Sequence, residues 1–218
     1  IFCRAGNARP LLRRLRISTA TASRVIISQG GTYLLSGTLQ DAQLTVEIPA
    51  GETARLVLCG VDMHCERGPV IYSNGGGTVV LLLENGTENT LSDGKSYLYS
   101  GSKVREAAIS VEGDLLITGG GSLSVEAIHN DALRSESTLA VAEGTLEITA
   151  WRDGLVAGAV SIILTAMRSL MLPVGLNPSS LANIFTFGLG DSALIRTIGV
   201  EPMVSKIVFF AFILYSLT

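Results

Sequence analysis

The sequence predicts an all-β solenoid, built from three-sided coils of about 22–24 residues and followed by a non-repetitive apolar tail. Three observations carry that expectation. Residues 112–127 (EGDLLITGGGSLSVEA) are echoed by residues 137–150 (STLAVAEGTLEITA). Each copy ends in an acidic turn, at Asn130-Asp131-Ala132-Leu133 and at Arg152-Asp153-Gly154-Leu155, so Asp131 and Asp153 stand 22 residues apart. An apolar marker recurs at Ile71, Ile109, Leu133 and Leu155, with spacings of 38, 24 and 22. At ~3.3 Å per strand residue, a 22-residue repeat traces roughly 70 Å, which suits one turn of three short parallel strands. It is too short for a helix with two flanking strands.

The elements follow in order. Residues 1–16 form an atypical basic segment, and the repeating part begins near Ile17. Residues 25–28 and 32–37 read as strands around Gly30 and Gly31. Residues 44–48 alternate apolar and polar, the mark of a half-buried strand. Strands over 55–61 and 78–83 follow, and Asn85-Gly86 and Asp93-Gly94 are turn dipeptides. Asn85-Gly86-Thr87 matches a glycosylation sequon and is read as a turn. The long 38-residue interval predicts an excursion over roughly 84–103, rich in Asn, Gly, Ser and Thr. After Ile162 the pattern stops: no further Asp-Gly turn follows, and Asp191 is the one acid between Asp153 and Glu201. The expected division is therefore 1–16, 17–162 and 163–218, the last an aberrant or capping tail.

Charge narrows the functional classes. The chain carries a net charge of −3, unevenly spread. Residues 1–23 hold five Arg and no acid, whereas residues 24–153 hold 17 acids against 8 bases, a net −9. An acidic middle disfavours nucleic acid and suits divalent cations. The most apolar stretch, 207–217, is eleven residues long, and a membrane-spanning helix needs about 20, so no stable span is expected. No signal peptide is evident at the start, where charged residues 3–16 have no apolar run after them. Cys3, Cys59 and Cys65 have no metal-type spacing and are expected to be structural thiols.

Residues 17–162 resemble, in order, the secreted bacterial carbohydrate-binding domain with a pectate-lyase-like right-handed parallel β-helix. The resemblance rests on residues 31–39 (GTYLLSGTL), 55–61 (RLVLCGV), 68–72 (GPVIY), 107–109 (AAI), 119–123 (GGGSL) and 130–135 (NDALRS). Residues 86–97 (GTENTLSDGKSY) are the most specific stretch. The chain departs from the family at Ala132, Leu133 and Arg134, where Asn-Asp is usually followed by Gly-Ile-Lys. It departs again at Cys59, which stands where Asn is usual. The resemblance implies calcium-dependent, non-catalytic binding of polygalacturonate by a protein that is secreted or displayed on the cell surface.

The candidate site residues follow from both lines. Acids on adjacent coils would have backbones ~4.8 Å apart. Like charges that close raise each other's pKa unless a cation lies between them. Calcium takes oxygens at ~2.3–2.6 Å, so two opposed ligands span about the coil spacing. Asp131, Asp153 and Asn130 are thus candidate calcium ligands, with an Asp-Gly turn whose acids point to solvent as the open alternative. Arg134 and Arg105 are candidates for pairing with uronate carboxylates, or else for neutralising Glu136 and Glu106. Trp151 is a candidate for stacking on a sugar ring, or else for packing in the core. A lyase would need a strong base near the metal, and Arg152 is the local candidate. His64 and His129 stand without a nucleophile and are expected to be structural. A protein-binding adhesin solenoid and a polysaccharide lyase are the rival classes.

Overall fold

The computed structural model describes residues 12–16, 24–97, 106–162, 167–173 and 194–198. Among them every regular element is a strand. The first half holds β1 (Leu12–Arg16), β2 (Arg24–Ile27), β3 (Gly31–Leu39), β4 (Gln43–Val46), β5 (Thr53–Cys65), β6 (Ile71–Ser73), β7 (Thr78–Leu83) and β8 (Glu88–Asp93). The second half holds β9 (Ala107–Val111), β10 (Leu115–Thr118), β11 (Ser122–Ala127), β12 (Asp131–Val141), β13 (Gly144–Ala150), β14 (Leu155–Ile162), β15 (Met167–Pro173) and β16 (Leu194–Ile198). No helix among the described residues is long and apolar enough to cross a membrane.

The strands pair in parallel along three ladders. The first runs β2, β4, β6, β9, the start of β12 and the start of β14. The second runs β1, the start of β3, the start of β5, β7, β10, the end of β12 and the end of β14. The third runs the end of β3, the end of β5, β8, β11, β13, β15 and β16. Strands β3, β5, β12 and β14 each serve two ladders and bend between them. Residues 167–173 and 194–198, which fall within the segment expected to be non-repetitive, extend the third ladder.

Register explains the apolar marker. Val25, Leu44, Ile71, Ile109, Leu133 and Leu155 form one column of the first ladder. The last five are fully buried. A matching column in the third ladder holds Leu39, Met63, Leu91, Val125 and Ile148. The second supplies Leu56, Leu81, Ile117 and Val141. Alternate residues of all three ladders meet in one apolar cluster.

The excursion is shorter than the sequence suggests. Residues 88–93 are strand β8, hydrogen-bonded to β5 and β11, so that part of the expected excursion belongs to the ladders, and 98–103 lie outside the described residues. Its Asn, Thr and Ser residues resemble a loop by composition, but Asn89, Leu91 and Asp93 alternate inward and are buried. Of the three expected thiols, Cys65 is a buried free thiol, Cys59 is instead disulfide-bonded, and Cys3 lies outside the described residues.

The bend from the second to the third ladder repeats a backbone device. Gly37, Gly60, Gly86, Gly119 and Gly144 all have positive φ there. At Gly119 (φ 101°) an added Cβ would also collide with the carbonyl oxygen of Leu83 on the neighbouring coil. Asn89 secures the same bend. Its Oδ1 accepts from the amides of Gly60 (3.0 Å) and Val61 (3.1 Å), and its Nδ2 donates to the Ser122 carbonyl (2.9 Å). One buried side chain thus ties three successive coils.

Candidate functional site

The turns from the third ladder to the first carry most of the chemistry. Here the chain leaves β5, β8, β11 and β13 and enters β6, β9, β12 and β14. Acids recur in these turns because their oxygens accept amide N–H groups that the turn leaves unpaired. Asp41 Oδ1 accepts from Glu66 (3.1 Å), Asp93 Oδ1 from Ile128 (2.6 Å), and Asp131 Oδ1 from Asp153 (3.3 Å). Each acid is one coil away from the amide it holds. The solvent-pointing alternative for Asp131 is therefore not what the structure has: its carboxylate is 1% exposed and faces the next turn.

The structure places Asp131 and Asp153 on adjacent coils. Leu133 pairs with Leu155, and the Ala132 amide donates to the Asp153 carbonyl (2.9 Å), which sets the two acids opposite each other. Asp131 Oδ2 accepts from Arg134 Nη1 (3.2 Å), whose Nε also donates to Glu136 (3.0 Å). Arg152 Nε lies 3.6 Å from Asp153 Oδ2. Burial pushes the Asp131 carboxyl above its ordinary range and the Asp153 charge adds to this, while the Asp153 amide, Arg152 and Arg134 oppose it. Asn130 Nδ2 donates to Glu106 Oε2 (3.3 Å), and its carbonyl accepts from the Arg152 amide (3.0 Å). Asp131, Asp153, Asn130 and Arg134 are thus brought together. Trp151 lies in the same turn, 80% exposed. Arg105 falls outside the described residues.

The donors suit a hard cation only in part. Asp131, Asp153 and Asn130 offer oxygen ligands, as calcium prefers. Both Asp131 oxygens already have partners, however, and among the described residues no cluster of three or more His, Cys, Asp or Glu gathers as for a metal. A cation here would replace Arg134 at Oδ2 and draw further oxygens from its ligand.

A second polar group lies beside this turn and had no signal in the sequence beyond Asp93-Gly94. Tyr97 donates to Asp93 Oδ2 (2.6 Å), and its ring stacks on His129 with centroids 4.1 Å apart. His129 Nδ1 donates to the Lys95 carbonyl (3.0 Å). Burial raises the Asp93 carboxyl despite these donors, and burial with the Asp93 charge raises the Tyr97 hydroxyl. The group pins the start of the excursion to the turn that carries Asn130 and Asp131. His64 is likewise bound, to Ser92 Oγ through Nδ1 (2.9 Å) and to Glu66 through Nε2 (3.3 Å).

Comparison with known proteins adds three findings. A family model described as carbohydrate-binding domain-containing protein matches residues 21–167. A protein of Acetivibrio thermocellus with the same description is 31% identical over 128 residues, covering 58% of this chain and 45% of that protein. The chain thus spans less than half of that relative's length. A solved structure, described as a polysaccharide lyase-like protein from C. thermocellum in a gadolinium derivative, aligns with a TM-score of 0.61 at 22% identity. It covers 84% of this chain and 88% of its own, a likeness of fold.

Proposed function

We propose a ligand and a binding mode for a chain that belongs to the carbohydrate-binding domain family: calcium-assisted, non-catalytic binding of an acidic, polygalacturonate-like polysaccharide at the bacterial cell surface. Family membership supports carbohydrate binding in general. The three ladders are read here as the faces of a right-handed parallel β-helix. The observation that carries the acidic ligand and the metal is the stacked pair Asp131 and Asp153, with the Asp131 carboxyl raised by burial and by its neighbour's charge.

A polyanion approaching a net −9 segment is repelled unless cations intervene. Calcium held by Asp131, Asp153 and Asn130 would supply a bridge from protein carboxylates to sugar carboxylates. Arg134 leans on Glu136 as well as Asp131, so it keeps a partner if Asp131 turns to a metal. The way the reactive groups are engaged supports the non-catalytic reading. Arg152, the candidate base, lies against Asp153, and Asp131 is buried and hydrogen-bonded rather than open to a scissile bond.

The test is retention of the full chain on immobilised polygalacturonate. Calcium should strengthen retention by about tenfold or more, EDTA should reverse this, and the pair D131N and D153N should remove the calcium effect. Retention that ignores calcium in a folded wild-type chain contradicts the bridging model.

A further inference from the structure

The chain contains two Asn-Gly pairs, Asn74-Gly75 and Asn85-Gly86. Asparagine before glycine is chemically labile, because glycine has no side chain to hinder attack by its own nitrogen on the asparagine carboxamide. Attack needs one movement: the glycine peptide must swing about the asparagine until its nitrogen faces Cγ. The backbone around each pair decides whether that swing is open.

Both asparagines are exposed, but their glycines are not alike. Gly75 lies against the backbone of Ile48 on the neighbouring coil, so close that a Cβ there would collide with the Ile48 carbonyl and nitrogen. The flanks of that bend are tied to the same coil. The Asn74 amide donates to the Val46 carbonyl (3.2 Å) and the Gly77 amide to the Ile48 carbonyl (3.2 Å). Gly86, in contrast, is exposed, and a Cβ built on it would meet nothing within 4 Å.

Asn85 and Gly86 are the middle of the turn between β7 and β8. Its flanks are anchored, the Glu84 amide donating to the Leu58 carbonyl (3.0 Å) and the Ser122 amide to the Thr87 carbonyl (2.9 Å). Between them the Thr87 amide closes on the Glu84 carbonyl at 3.2 Å, and with Gly86 at φ 72° this is the type II pattern. The Asn85 and Gly86 amides have no hydrogen-bond partner among the described residues. A swing at Asn85 therefore breaks one long hydrogen bond, and the Thr87 hydroxyl still donates to the Glu84 carbonyl (2.7 Å). A swing at Asn74 requires the bend to part from the coil beneath it.

We propose that Asn85 is a self-modifying site, which converts to aspartate and isoaspartate in the folded chain while Asn74 is protected. The Gly86 nitrogen forms a bond to Asn85 Cγ, the Cγ–Nδ2 bond breaks, and Nδ2 leaves as ammonia with the Gly86 proton. Water then adds to either carbonyl of the resulting cyclic imide and opens the ring, to aspartate or to isoaspartate. Either product adds one negative charge, and isoaspartate routes the main chain through an extra methylene at the entry to β8. This chemistry goes beyond carbohydrate binding and does not depend on it.

The experiment incubates the full chain at mildly alkaline pH, folded and in denaturant, and follows both asparagines by peptide mass analysis. In denaturant, where both pairs are free to swing, Asn74 and Asn85 should convert at similar rates. In the folded chain Asn85 should convert about tenfold or more faster than Asn74. Folded wild type should accumulate a more acidic form on isoelectric focusing, and N85Q, whose longer side chain closes the ring poorly, should not. Equal conversion of the two asparagines in the folded chain, or an Asn85 that stays intact there, overturns the proposal and leaves the carbohydrate-binding reading untouched.

Discussion

Asp131 shows how one side chain is asked to serve two ends. It caps the Asp153 amide and pairs with Arg134, yet it is buried next to a second acid. The linkage between charge and stability follows. Asp131 has its carboxyl raised in the folded state, so the folded chain binds the proton more tightly than the unfolded one. Its contribution to stability therefore falls as pH rises above the ordinary carboxylate value, and recovers as pH drops toward about 4. Asp93 acts in the same direction, and Asp114, lowered chiefly by its Ser137 hydrogen bond, acts in the opposite one. The D131N variant isolates one of these. It should fall further behind wild type in unfolding temperature as pH is lowered from 7 toward 4, because only wild type gains. A gap that stays constant or narrows would show that Asp131 is not raised. The sequence made the stacking of Asp131 and Asp153 legible through their 22-residue spacing. It did not make legible that Arg134 and a backbone amide already occupy the Asp131 oxygens, because that depends on side-chain direction within a turn.

At the level of the element, the bends decide the fold as much as the strands do. A bend whose glycine has φ near +100° and lies against the adjacent coil cannot take a side chain. Gly119→Ala combines both obstacles, since its new Cβ would meet the Leu83 carbonyl. Gly51→Ala meets only the backbone penalty, because φ is 87° and nothing lies within 4 Å. Chemical denaturation should show Gly119→Ala costing about 1–3 kcal/mol from backbone strain and more from the collision, and Gly51→Ala costing less. Equal losses would mean that the coil contact at Gly119 is not tight. These bends also explain where pattern reading failed. Residues 86–93 are rich in Asn, Thr, Ser and Gly, a loop composition, yet they contain β8. Asn89 is an inward residue because its amide bonds to the coils on both sides of its own. Periodicity of apolar residues cannot announce a buried Asn. It did announce Ile71, Ile109, Leu133 and Leu155, because a column that faces the core must be apolar on every coil.

For the whole molecule, parallel stacking turns a short sequence repeat into rows of like side chains. One row is the core. The turns from the third ladder to the first also repeat a staple, in which Asp41, Asp93 and Asp131 each accept an amide of the following coil. Trp151 and Arg152 reach the surface in the last of these turns, which the proposed function makes the edge along which a polymer would run. The family model matched over 21–167 supports carbohydrate binding, and an acidic polysaccharide is the ligand we propose. The most direct measurement is equilibrium binding of the full chain, with calcium present, to polygalacturonate and to a neutral polysaccharide of equal length, with the polymer's length followed in the same sample. Our account predicts preferential binding of polygalacturonate with the polymer left intact. Equal binding of both polymers would contradict the acidic specificity, and a shortening polymer with unsaturated ends would make the chain a lyase.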